Sequence, residues 1–235
     1  MRRLSTAVLA FGALALLVPV APAQQPPTGP YAGAGLWVLL LNKDVQKELK
    51  LNDEQVAKAA KVSQEIVQKH REDLTRLTGA GLGQVADEGQ LKKQVELARK
   101  VTDETVEGMG DSLKPEQVKR FKQIAVQQTV RLAGAGVFLD PEVDKDLKLT
   151  DKQKEDLKKT VEDQQKKHLS ALKDAGGNPL DVFKKLGTIN KDSVEDVVKT
   201  LTDDQKKTWK ELTGEPFEFK TGSSPVPPPK PGGKD

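Results

Sequence analysis

The chain contains no cysteine, so no disulfide supports it and its stability has to come from packing. Aromatic residues make up only 4% of the sequence, against 31% charged residues. That balance argues for a thin, elongated helical bundle rather than a thick globular core. Period-two runs of Val, Ile, Thr and aromatics are nearly absent, which leaves no basis for a sheet. An excess of one charge is also missing. Removing Arg2 and Arg3 with the leader described below takes 38 basic residues to 36, against 35 acidic ones. There is then no electrostatic case for nucleic-acid or anionic-membrane binding. The chain also lacks a nucleophile elbow, a P-loop, a dinucleotide fingerprint and a zinc-protease helix, so no enzyme is expected and no cofactor.

The first 23 residues read as a secretory leader. Arg2 and Arg3 open it, an apolar stretch runs over 8–20, and Ala21-Pro22-Ala23 offers small residues for cleavage after Ala23. The apolar stretch is too short for a stable membrane span. Export to the periplasm or the exterior is therefore expected, with no stable membrane insertion after cleavage. About 212 residues remain.

Those residues contain a duplication. The fourteen residues from Asn42 to Gln55 align without gaps on those from Asp140 to Gln153, with seven identities. The same offset brings Lys69-His70 onto Lys167-His168, and these are the only two histidines. Ala32-Gly33-Ala34-Gly35 is echoed by Ala133-Gly134-Ala135-Gly136, and 106–121 aligns with 194–209. The organisation expected is a leader (1–23), a linker (24–31), two helical units (32–132 and 133–219) and a disordered Pro/Gly-rich tail (220–235). Residues 224–231 of that tail should lean to polyproline II.

Each unit carries two similar helix starts. They are Leu51-Asn52-Asp53-Glu54-Gln55 and Leu113-Lys114-Pro115-Glu116-Gln117, then Leu149-Thr150-Asp151-Lys152-Gln153 and Leu201-Thr202-Asp203-Asp204-Gln205. The second residue suits the N-cap and the glutamine three later suits the return bond of a capping box. Asn52 is an equivalent cap, whereas Lys114 is a poor one, although Pro115 fits the first helical position. Helical spacing follows each start: Val56, Ala59, Ser63, Ile66, His70, Leu74 and Leu77 as far as Gly79 and Gly81, with a thinner line through Leu157, Val161, Gln164, His168 and Leu172. Leu91 to Met109 reads as a further helix. Val182, Phe183 and Leu186 read as a short helix ahead of Val194, Val197 and Val198, and Gly214 should stop the last one. Short pre-helices begin at Asn42 and Asp140.

These paired Leu-Thr-x-x-Gln starts in an exported helical chain resemble the Spy/CpxP family of periplasmic proteins. The resemblance covers the motif regions of both units and not the connectors; Asn52 and Lys114 stand where the motif has threonine, and the segment Phe217-Glu218-Phe219 falls outside it. It implies long bent helices and a monomeric pseudo-dimer or bundle, with the chain holding in tandem what the family assembles from two copies. It also implies an ATP-independent, chaperone-like holdase for unfolded envelope proteins, or alternatively a regulatory protein with one dedicated partner.

Two features carry candidate sites. His70 and His168 are repeat-equivalent and are the candidates for a metal, as metal-sensing relatives suggest; shared descent explains the pair more simply, because four ligands are needed and no cysteine is present. Leu36, Trp37, Val38, Leu39, Leu40 and Leu41 form the most apolar stretch after the leader, echoed by Val137, Phe138 and Leu139. Such segments either close the core or form an apolar patch that grips clients.

Overall fold

The computed structural model describes residues 36–73, 87–174 and 179–219. Every regular element among them is helical, so the protein is all-α. In chain order these are α1 (Lys43–Glu48), α2 (Asp53–Lys69), α3 (Glu88–Met109), α4 (Pro115–Ala133), α5 (Pro141–Leu147), α6 (Asp151–Asp174), α7 (Pro179–Thr200) and α8 (Asp203–Thr213), with 3-10 helices at Leu36–Leu41, Gly110–Ser112 and Gly134–Leu139. The leader, the 24–31 linker, the first Ala-Gly-Ala-Gly, Leu74, Leu77, Gly79, Gly81 and the tail lie outside the described residues. None of the described helices is long and apolar enough to cross a membrane.

One expectation fails. Residues 182–198 do not divide into two helices; α7 runs unbroken over Pro179–Thr200. Gly187 sits inside it with no neighbouring atom where a Cβ would stand. A helix-interior glycine costs only about 1 kcal/mol relative to alanine, and the apolar stripe of α7 overrides it.

The duplication extends to backbone conformation. Asn42 caps α1 and Asp140 caps α5, each accepting hydrogen bonds from first-turn N–H groups. Past each short helix stands a lysine in the left-handed region, Lys50 (φ 51°) and Lys148 (φ 52°). These two positions are equivalent in the repeat. In the first copy Leu51 N–H reaches back to Gln46 C=O, which closes a Schellman turn and aims the chain into the next start.

The apolar side chains form two cores. The first gathers Leu39, Leu40, Val45, Leu49, Ala59, Val62, Ile66, Val101, Met109, Phe121 and Ile124. The second gathers Val137, Phe138, Val143, Leu147, Leu157, Val161, Val194, Val197 and Trp209, and it also takes Leu91 and Val95 from α3. Val126 and Val130 of α4 pack against that second core as well. Phe217 and Phe219, which follow the second copy, pack against the first core. The copies read from the sequence therefore do not each own a core, because α3 and α4 run through both.

Candidate functional site

The four motif starts are joined in pairs through their glutamines. Gln55 accepts the Asn52 N–H at 2.9 Å while its own N–H donates to Asn52 Oδ1 at 2.8 Å, which is the expected capping box. Its amide nitrogen then donates to Ser112 C=O and to Gln117 Oε1 at 3.0 Å, both at the other start of the first copy. Gln117 answers by accepting the Lys114 N–H at 2.9 Å and donating to Leu49 C=O at 2.8 Å. Lys114 has no acceptor in its side chain, so this start keeps only the glutamine half of a capping box.

The second copy repeats the arrangement. Gln153 accepts the Thr150 N–H at 3.0 Å and donates to Thr200 C=O at 3.0 Å and to Gln205 Oε1 at 2.7 Å. Gln205 accepts the Thr202 N–H at 2.9 Å and donates to Leu147 C=O at 3.1 Å. Leu113, Leu149 and Leu201 are buried beside these clasps and Leu51 is half-buried. Each glutamine thus caps its own helix and satisfies a carbonyl that the other start leaves open. The capping half could be read from spacing alone. The cross-bond joins residues far apart in sequence and could not.

A second polar cluster was not foreseen. Gln164 is 1% exposed and takes the Ala135 N–H at 2.9 Å on its oxygen, while its nitrogen donates to Ala133 C=O at 3.0 Å and to Asn190 Oδ1 at 3.2 Å. Asn190 donates to Arg131 C=O at 2.8 Å, and Ser193 Oγ also accepts the Ala135 N–H, at 3.0 Å. This cluster caps the end of α4, where Gly134 turns at φ 55°. A Cβ on Gly134 would lie within 2.9 Å of three oxygens, from Gln164, Ser193 and Asn190. The sequence signal was the Ala-Gly-Ala-Gly echo, whose partners it could not show.

The two histidines sit in different surroundings. His70 is buried at the end of α2 and its Nε2 lies 2.7 Å from Glu104 Oε2, with Lys69 Nζ 2.9 Å from the other oxygen. Burial works to raise the Glu104 pKa, but the hydrogen bonds from His70 and Lys69 outweigh it and hold the carboxyl below its ordinary value. His168 is half-buried on α6; burial pushes its pKa down against a hydrogen bond with Asn190, and its Nε2 is buried without a hydrogen-bond partner. Among the described residues no group of three or more ligating side chains occurs, around either histidine or elsewhere.

Of the two roles open to the apolar stretches, their described side chains fill the core. Leu39, Leu40, Val137 and Phe138 are buried, and Val38, Leu41 and Leu139 are half-buried. Phe138 stacks against Trp209 with ring centroids 4.6 Å apart. These residues are apolar because they fill space between helices. The side chains of Leu36 and Trp37 lie outside the described residues.

Beyond α8 the chain forms an extended strap over residues 215–219 that lies along α4. Gln127 accepts the Phe217 N–H at 2.8 Å and donates to the carbonyls of Glu215 at 2.8 Å and Thr213 at 2.6 Å. Arg120 donates to Glu215 C=O at 2.8 Å, and the Arg131 guanidinium stands 5.5 Å from the centroid of the Phe219 ring.

No protein-family model matches the chain, and neither a curated protein nor a solved structure matches it. The fold and these contacts define an all-α protein whose helix starts are clasped in pairs by glutamine.

Proposed function

We propose that this is an exported, non-enzymatic protein-binding module of the cell envelope, periplasmic or secreted, whose paired motif starts resemble those of the Spy/CpxP family. The observation behind this reading is how the polar side chains are used. The motif glutamines and the Gln164 cluster are occupied in holding helices to one another. The outer faces carry interleaved charges such as Lys159 with Glu155 and Lys199 with Asp196, broken by exposed Leu132 and Leu169. A face of that kind suits the polar rim and small apolar anchors of a protein interface.

Burial of Leu39, Leu40, Val137 and Phe138 favours one dedicated partner over a general holdase. A holdase needs open apolar area, and these segments would have to leave the core to supply it. The experiment is capture from envelope extract by the mature chain, run beside suppression of aggregation of an unrelated unfolded protein. One stoichiometric partner without suppression supports the dedicated reading. Broad capture with suppression at near-stoichiometric ratio returns the holdase, and neither result discards both.

A further inference from the structure

The strap on α4 is more than a terminus lying on a helix. Arg120, Gln123, Gln127 and Arg131 occur at three- and four-residue spacing and form one stripe along α4. The stripe holds the end of α8 and the strap together: Gln123 donates to Glu211 C=O at 3.0 Å, Arg120 to Glu215 C=O, Gln127 bonds either side of Pro216, and Arg131 covers Phe219. Most of these contacts read the main chain. Gln127 takes a carbonyl and an N–H two residues apart with its one amide, which any extended peptide can offer. Selection is left to Phe217 and Phe219, which meet edge to face at 4.9 Å and pack on the first core, with Arg131 over the second ring. Backbone bonds for affinity and alternate side chains for specificity are how grooves take extended peptides.

The strap is also poorly tied to its own unit. In the repeat alignment 215–219 corresponds to 127–131, the last turns of α4. Gly214, at φ 64°, stops α8 where α4 continues, and the position is crowded by the Gln123 amide. The residues that would have extended α8 are laid out instead on the stripe of the other copy. Only side chains hold them, and the two rings are half-buried.

We propose that this stripe is a binding groove for an extended aromatic-x-aromatic peptide, and that the chain's own 215–219 occupies it as an exchangeable pseudo-ligand. The inference rests on the protein-binding reading and gives it a surface. A partner entering the groove displaces the strap, so the affinity seen from outside is the intrinsic one scaled by the fraction of time the groove stands empty.

The test uses the mature chain and a fluorescein-labelled peptide, Glu-Pro-Phe-Glu-Phe, read by anisotropy. Phe217→Ala/Phe219→Ala should empty the groove and bind the peptide about tenfold or more tighter than the unaltered chain. Adding Gln127→Ala should abolish that binding, and a peptide with both phenylalanines replaced by alanine should not bind. Equal affinity with and without the strap phenylalanines, or binding indifferent to Gln127→Ala, overturns the proposal. Should the double variant lose its helical circular dichroism, amide exchange on the unaltered chain decides instead. Saturating peptide should speed exchange at the Phe217 N–H, and unchanged protection there overturns the exchange. A partner captured undiminished by Gln127→Ala would discard the groove and leave the protein-binding reading standing.

Discussion

In the first copy His70 meets the carboxylate of Glu104 across two helices, and an exposed lysine backs the pair. The equivalent of Glu104 in the second copy is Asp192, one methylene shorter and exposed, and His168 is left beside the amide of Asn190. One helical turn earlier, Ile66 of the first copy corresponds to Gln164 of the second, and Thr102 and Thr105 correspond to Asn190 and Ser193. At this level the first copy therefore joins α2 to α3 by apolar contact plus the ionic group of His70, Lys69 and Glu104 at the rim. The second joins them by a buried amide network that also caps α4. Both kept the glutamine clasp at the helix starts and diverged where the helices end. Starts obey local rules that a duplication carries intact, whereas ends take their partners from whatever lies across the bundle.

The largest effect should come from breaking what only the second copy has. Gly134→Ala forces a side chain into a left-handed turn already filled by three oxygens, and it should destabilise by about 3 kcal/mol or more. Denaturant melts of the variant should show that loss as a lower midpoint; a change under about 1 kcal/mol would mean the network gives way easily.

The clasps offer the next comparison. Gln55 and Gln117 are both buried, whereas Gln153 is half-exposed with water at hand. Gln117→Ala should cost about 2–4 kcal/mol because it leaves buried partners unsatisfied, and Gln153→Ala about 1 kcal/mol. Equal losses would show that the two clasps bear the same load despite their different burial.

The smallest effect separates the two histidine environments by pH. Because the folded-state pKa of Glu104 lies below its ordinary value, its contribution is full above the ordinary carboxylate range and is lost as pH falls through the folded value. Asp140 works in the opposite sense, since burial raises its pKa against the backbone N–H of Glu142 and against Arg99. Glu104→Gln should therefore flatten the acid side of the stability curve below the ordinary carboxylate range, by about 1 kcal/mol or less.

Much of the fold was legible because its rules are local. Asn52, Thr150 and Thr202 announce helix starts by their hydrogen-bonding capacity, and the stripe through Leu91, Val95 and Val101 needs only the helical period. The unbroken α7 was missed because Gly187 weighs heavily in sequence and little in a packed helix. The clasp, the Gln164 cluster and the strap were hidden for one shared reason. Glutamine reads as a solvated residue until the carbonyl it serves is known, and that carbonyl lies elsewhere in the chain. The apolar character of 36–41 was plain, but the side it faces is decided by α2 and α3.

The threading of α3 and α4 through both cores bears on how the molecule comes apart. Cutting the chain between the copies would strip Leu91, Val95, Val126 and Val130 of their second-core neighbours and would remove Phe217 and Phe219 from the first. Neither piece would keep a complete interior. Heat or denaturant should therefore find a single cooperative unit with one sigmoidal transition, and the two stretches that align in sequence form a molecule that cannot be halved.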